Sequence, residues 1–103
     1  MITTLKDNWI GKRVIVRTQS AGVFAGIFES RNGQEVTLTL ARRLWYWTGA
    51  ASLSQLAEIG TSSPQTCKFP APVGRVLLLQ AIEILEVTKI AWATIESVKI
   101  WKQ

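Results

Sequence analysis

The residues with the clearest potential for chemistry are two consecutive arginines, Arg42 and Arg43, which stand directly before a run of aromatic residues. Guanidinium groups match phosphate oxygens with paired N–H donors, and the indole rings of Trp45 and Trp47 can stack on a nucleobase. Ser52 is placed to begin a helix, whose first backbone N–H groups favour an anion. We therefore expect these five residues to bind a nucleotide-like anion.

A structural role competes with this hypothesis. The three aromatic residues 45–47 could instead pack in the core or at a dimer contact, and the two arginines could pair with Glu29 or Glu58. The residue types alone favour neither interpretation decisively, so both stay open at this point.

The composition argues for binding rather than catalysis. Twelve Lys and Arg against seven Asp and Glu give a net charge of +5, which favours anionic partners. The chain has no histidine, the commonest general base and metal ligand, and its single cysteine, Cys67, is expected to be a small structural residue. We therefore predict no enzymatic activity, no metal and no cofactor.

The first half of the chain predicts three strands. Residues rich in β-branched side chains predict strands over 13–18, over 23–30 and from Glu35 to about Trp47. Asn32-Gly33 is a strong hairpin signal, and Gly26 indicates a bulge or a close approach of two backbones. The segment through Asn8 is interpreted as an arm or a first turn.

Alternation along the third strand decides which side chains share a face. One face is predicted to carry Val36, Leu38, Leu40, Arg42, Leu44 and Tyr46, and the other Thr37, Thr39, Ala41, Arg43, Trp45 and Trp47. The two arginines then point in opposite directions unless a bulge near Ala41 intervenes. The preferred grouping is Arg43 with Trp45 and Trp47.

The second half predicts helices and further strands. Ser52 and Gln55 have the spacing of a capping box for a helix that ends at Gly60, and Thr88 is expected to cap a second helix. The remaining segments are an extended stretch at 68–72, one or two buried strands over 73–87 with a break near Gln80-Ala81, and a closing strand over 98–102. The predicted fold is mainly β with short helices (α+β). It is a small bent antiparallel sheet, or an SH3- or Sm-like barrel with a helical insertion, in a single domain over residues 1–103.

Several motifs resemble an uncharacterised family of small phage and prophage proteins. They are Val14-Ile15-Val16-Arg17-Thr18, Ser20-Ala21-Gly22-Val23-Phe24-Ala25-Gly26, Glu29-Ser30-Arg31-Asn32-Gly33, Ala41-Arg42-Arg43-Leu44-Trp45-Tyr46-Trp47, Gly49-Ala50-Ala51-Ser52-Leu53-Ser54-Gln55-Leu56-Ala57, Cys67-Lys68-Phe69-Pro70, Ala81-Ile82-Glu83-Ile84 and the closing Trp101-Lys102. The resemblance covers nearly the whole chain after Lys12. It implies a phage-encoded protein of the host cytoplasm and supplies no established site residues.

The resemblance gives the anion-binding hypothesis a purpose. A small phage protein without catalytic groups can act as a sponge that sequesters a cyclic nucleotide or cyclic ADP-ribose defence signal. The alternatives are a single-stranded nucleic-acid-binding module and an inhibitor of a host protein. We expect a homo-oligomer with no membrane partner, and a ligand site between subunits because one short chain offers little concave volume.

Overall fold

The computed structural model describes residues 8–103, and it shows the predicted α+β fold. Five antiparallel strands form one sheet, accompanied by two short helices and a 3-10 turn at Pro64–Thr66. The strands are β1 (Arg13–Thr18), β2 (Val23–Asn32), β3 (Glu35–Arg43), β4 (Val73–Leu78) and β5 (Ala81–Glu86), and the helices are α1 (Leu53–Glu58) and α2 (Lys89–Ser97). Apart from Asn8, the predicted N-terminal arm lies outside the described residues.

The sheet is strongly bent. Its strand order is β4-β3-β2-β1-β5, so the two outermost strands are joined directly by Leu79 and Gln80. Three peptide steps span at most roughly 11 Å, whereas four strand spacings in a flat sheet cover roughly 19 Å. The two edges must therefore curl toward each other. No strand pairing joins β4 to β5 within residues 8–103, so the sheet bends but stays open rather than closing into a barrel.

The bent sheet separates two hydrophobic clusters, and β1 contributes to both. Val14 and Val16 pack on the inner face with Phe28 and Leu38, whereas Ile15 packs on the outer face against both helices. All three β1 residues are fully buried, and alternate residues face opposite sides of the sheet. The fold therefore buries both sides of its central strands although the chain is short.

A bulge in β3 changes the predicted faces. Ala25 pairs with Arg42 and Ile27 with Thr39, so two β3 residues, Leu40 and Ala41, oppose a single β2 residue. Leu40 has a φ of 49°, in the left-handed region that leucine rarely adopts. The bulge shifts the alternation by one residue, because each residue beyond it takes the opposite face.

The predicted face assignment is therefore wrong beyond Leu38. Ala41 joins the inner cluster, Leu44 joins the outer one, and Leu40 is exposed. The third strand also ends at Arg43 rather than near Trp47. A bulge near Ala41 is therefore present, but it lies before Arg42, so Arg42 and Arg43 still point in opposite directions as predicted.

Both helices begin at their predicted caps. The Ser52 hydroxyl accepts from the Gln55 backbone N–H at 3.2 Å, and the Gln55 side chain accepts from the Ala51 N–H at 2.9 Å. Thr88 caps α2 by accepting from the Ala91 N–H at 3.1 Å. The two hydroxyl bonds satisfy N–H groups that the first turn of each helix leaves without a partner.

The second half departs from its predictions in two places. β4 and β5 are two strands separated near the predicted break, but they are the edges of the sheet and are largely exposed rather than buried. The predicted closing strand is an extended tail with one parallel bridge, Phe69 to Ile100. Trp101 donates its backbone N–H to the Phe69 carbonyl at 3.0 Å, which holds the tail against this segment.

Candidate functional site

Arg42 is buried and structural. Its side chain is 8% exposed, and Nε donates to the Pro70 carbonyl at 2.9 Å. Nη1 donates to Ile95 at 3.1 Å, and Nη2 donates to Phe69 at 3.1 Å and to Val98 at 2.7 Å. These bonds tie the end of α2 to the tail and the Phe69 segment. Burial lowers the pKa of Arg42 from its ordinary value.

Arg43 lies in different surroundings. It is exposed, its guanidinium carbon lies 4.4 Å from the ring centroid of Phe24, and Nη1 donates to the Ala21 carbonyl. It lines a cavity of about 610 Å³ together with Leu77 and Leu79 at the end of β4. The two adjacent arginines therefore do not share a pocket.

Trp45 forms an exposed stack with a residue from the far end of the sequence. Its ring lies parallel to that of Trp101, with centroids 4.9 Å apart and an interplanar angle of 11°. Lys68 Nζ lies 5.6 Å from the centroids of both Trp45 and Tyr46, and 5.8 Å from that of Trp101. We call these four residues the tryptophan platform. Trp45 is 57% and Tyr46 46% exposed, so the platform faces solvent.

The remaining predicted site residues have structural surroundings. Trp47 is half-buried and packs against the outer hydrophobic cluster. Ser52 caps α1, and its hydroxyl is committed to the Gln55 N–H. The preferred grouping of Arg43, Trp45 and Trp47 is not assembled, because each contacts a different part of the molecule.

A second cavity, of about 480 Å³, lies between α2 and the outer face of the sheet. We call it the α2 cavity. Arg13 and Trp92 form part of its wall, with the Arg13 guanidinium carbon 5.8 Å from the Trp92 ring centroid. Arg42, Glu96 and the apolar residues Ile27, Leu40, Pro72 and Ile100 also line it. One chain thus provides a concave site of ligand size without a partner subunit.

Lys68 and Trp101 on the platform, and Arg13 and Trp92 in the cavity, were not among the predicted site residues. Lys68 and Trp101 do stand in motifs that resemble the phage family. Their separation along the chain gave no indication that they meet. Arg13 stands in the first predicted strand, but nothing in the sequence pattern placed Trp92 opposite it.

Some surface charges elsewhere form ion pairs with each other. Lys12 pairs with Glu86 at 3.4 Å, Arg17 with Glu83 at 3.1 Å and Arg75 with Glu29 at 2.7 Å. The hydrogen bonds from Arg75 hold the pKa of Glu29 below its ordinary value.

Cys67 and the acidic side chains do not come together in the part of the chain that the structure describes. Cys67 is buried, with its thiol 3.6 Å from the carbonyls of Thr48 and Ser63. Residues 8–103 contain no group of three or more His, Cys, Asp or Glu side chains that could hold a metal ion.

No helix of the described chain is long and apolar enough to cross a membrane.

Comparisons with known proteins place the sequence in a family. A search of curated proteins finds no match to the sequence. A family model described as a domain of unknown function, DUF6948, matches residues 11–95, which include the sheet, α1 and most of α2. The chain therefore belongs to the DUF6948 family of domains of unknown function.

Proposed function

We propose that this protein is a non-catalytic binding module that holds a nucleotide-like anion on the tryptophan platform. The observation that carries the proposal is the exposed, parallel stack of Trp45 on Trp101 beside Lys68. A nucleobase would extend this stack, and its phosphate would meet the lysine. Of the predicted site residues, Trp45 keeps a ligand-binding role in this proposal, while Arg42, Trp47 and Ser52 act in the fold.

Stacking geometry supports a planar ligand. Trp101 stacks on the Trp45 ring, and Trp45 keeps 57% of its surface exposed to solvent. Base stacking on an aromatic side chain is worth about 1–3 kcal/mol per base. The platform rings are already held by each other and by the tail, so little side-chain freedom is lost when a base binds.

Charge supports an anionic ligand. The three segments that build the platform, residues 44–48, 66–70 and 98–103, contain Lys68, Lys99 and Lys102 and no Asp or Glu. Lys68 makes no ion pair within the described residues. A phosphate beside the platform would therefore meet positive charge without competition from carboxylates of the same segments.

Single-stranded nucleic acid is the second candidate, and the openness of the platform favours it. Small ligands usually bind in concave sites, whereas a polynucleotide can stack one base on an exposed ring and place neighbouring phosphates on surrounding lysines.

A more specific form of the first candidate adds a phage origin and a role as a sponge. In that form the ligand is a cyclic nucleotide or cyclic ADP-ribose defence signal in the host cytoplasm. Inhibition of a host protein would use the same exposed tryptophans as contact anchors.

Fluorescence titration tests the proposal. The probes are an eight-residue oligothymidylate, AMP, a cyclic dinucleotide and cyclic ADP-ribose, each at 50 mM and 200 mM salt. Binding of the oligonucleotide with a steep salt dependence supports the polymer candidate, because phosphate contacts release counterions. Binding of a small nucleotide without the oligonucleotide supports the first candidate. Binding of none of the four probes contradicts both.

Variants locate the site. Trp45→Ala is expected to weaken binding about tenfold or more, and Trp45→Phe less, because phenylalanine retains a smaller stacking surface. Lys68→Gln should weaken binding and lower the salt dependence. Lys12→Gln is the matched control, since Lys12 is an exposed lysine paired with Glu86 away from the platform. Unchanged affinity in Trp45→Ala would place the ligand elsewhere.

A further inference from the structure

We infer that the α2 cavity is a second binding site, which takes a small organic monocarboxylate with a flat or branched apolar body. The cavity holds about 480 Å³, within the range of roughly 300–1,000 Å³ that is typical of ligand sites. Its lining combines two guanidinium groups and one carboxylate with a largely apolar wall. The inference does not depend on the tryptophan platform.

Arg42 provides a buried positive charge at this cavity. All its hydrogen-bond acceptors are neutral backbone carbonyls, and no ion pair to it is found within residues 8–103. A buried charge is costly unless an opposite charge or good hydrogen bonds compensate it. A guanidinium has five N–H donors, and Arg42 uses four of them here. One Nη1 hydrogen and the whole net charge thus remain for a ligand anion.

Arg13 provides the second group. Its guanidinium lies over the Trp92 ring at the cavity wall, where it can present a fork of N–H donors to a carboxylate. Glu96 also lines the cavity, so the charges of Arg13, Arg42 and Glu96 sum to +1. A monoanion balances this charge, whereas a phosphate dianion would reverse it. The cavity chemistry therefore differs from that proposed for the platform.

The apolar wall has one unusual member. Leu40 is 64% exposed and holds a left-handed φ of 49°, a conformation that asparagine or glycine adopts at lower cost. Neither burial nor backbone geometry explains a leucine here. Strained backbone is retained mainly where function requires it. An apolar ligand body covering Leu40, Ile27 and Ile100 would remove this surface from water.

The two sites lie on different sides of the C-terminal tail. Ile100 lines the α2 cavity, whereas the next residue, Trp101, stacks on the platform. Successive side chains of an extended segment point to opposite sides. Variants in one site therefore leave the other intact, and the two proposals can fail separately.

Isothermal titration calorimetry of the full chain tests the inference. The probe is 2-naphthoate, with the neutral 2-naphthamide and the dianionic 2-naphthyl phosphate as comparisons. We expect the carboxylate to bind at least tenfold more tightly than the amide and more tightly than the phosphate. Equal affinity for the carboxylate and the amide, or no binding of the carboxylate, would overturn the inference.

Variants separate a ligand role from a structural one. Arg13→Gln should weaken naphthoate binding at least fivefold, while Arg17→Gln, an exposed arginine of the same strand paired with Glu83, should leave it unchanged. Leu40→Asn should weaken binding by a similar factor and keep or raise the thermal midpoint, because asparagine tolerates the left-handed φ. Unchanged affinity in Arg13→Gln or Leu40→Asn would exclude the cavity. Retained oligonucleotide or nucleotide binding in these variants would confirm that the platform is independent.

Discussion

Arg42 and Arg43 show how far one position along the chain can change the role of the same side chain. Arg42 is buried on the outer face and bonds four carbonyls of three separate segments, whereas Arg43 is exposed beside Phe24. The adjacent positions of the two arginines in the sequence suggested that both guanidinium groups could bind phosphate. Strand geometry separates the two arginines, and the buried Arg42 has a structural role because it bonds backbone carbonyls.

Arg42→Met is therefore expected to destabilise the protein strongly. Methionine fills a similar volume but leaves the carbonyls of Phe69, Pro70, Ile95 and Val98 without this donor, and a buried acceptor left unpaired costs about 1–3 kcal/mol. The free energy of unfolding, measured with urea, reports the loss. Arg43→Met is the matched control, expected to cost less than about 1 kcal/mol. Equal losses in the two variants would contradict the structural role of Arg42.

At the scale of elements, the β3 bulge determines the arrangement of the site. It turns Arg42 toward the end of α2 and leaves Leu40 at the α2 cavity. Gly26 makes the bulge compatible with the neighbouring strand. A Cβ atom on Gly26 would lie 3.0 Å from the Thr39 carbonyl oxygen and 3.1 Å from the Ala41 Cα.

Gly26→Ala is accordingly expected to cost about 1–3 kcal/mol, because the added methyl group overpacks the bulge against backbone atoms. Gly74→Ala in β4 is the matched control, since a Cβ there meets nothing within 4 Å. It should be neutral or slightly stabilising, because alanine lowers the entropy of the unfolded chain. Chemical denaturation of both variants measures the difference. A Gly26→Ala protein as stable as the wild type would show that the bulge can relax.

The sequence predicted the elements better than the site for a physical reason. The hairpin at Asn32-Gly33 and the caps at Ser52 and Thr88 depend on local hydrogen bonds, which local residue types determine. The bulge at Leu40 depends on a conformation that leucine disfavours, and its sequence signal, Gly26, stands on the neighbouring strand, where the pattern does not show which β3 residues it opposes. The stack of Trp45 on Trp101 depends on a tail that folds back along Phe69, which only the complete fold determines.

At the scale of the whole molecule, the bent sheet leaves both its edges open. β4 pairs only with β3 and β5 only with β1 within the described residues. An exposed edge strand tends to pair with another chain unless charge or proline protects it. The β4 edge is apolar, with Val73 49%, Leu77 54% and Leu79 61% exposed. Its one charged residue, Arg75, is paired with Glu29.

We therefore expect the protein to form a homo-oligomer through the β4 edge, and a Leu77→Lys, Leu79→Lys double variant to be a monomer. Two lysines there would repel their counterparts and lose apolar burial in the contact. Native mass spectrometry at micromolar concentration distinguishes multiples of 11.5 kDa from the single chain. Ile90→Lys is the matched control, because Ile90 on α2 is 72% exposed and lies outside this edge. A wild-type mass of one chain would contradict self-association. An oligomeric double variant would show that the subunits meet through another surface. The β5 edge would then be the next candidate, because Ile82 there is 45% exposed.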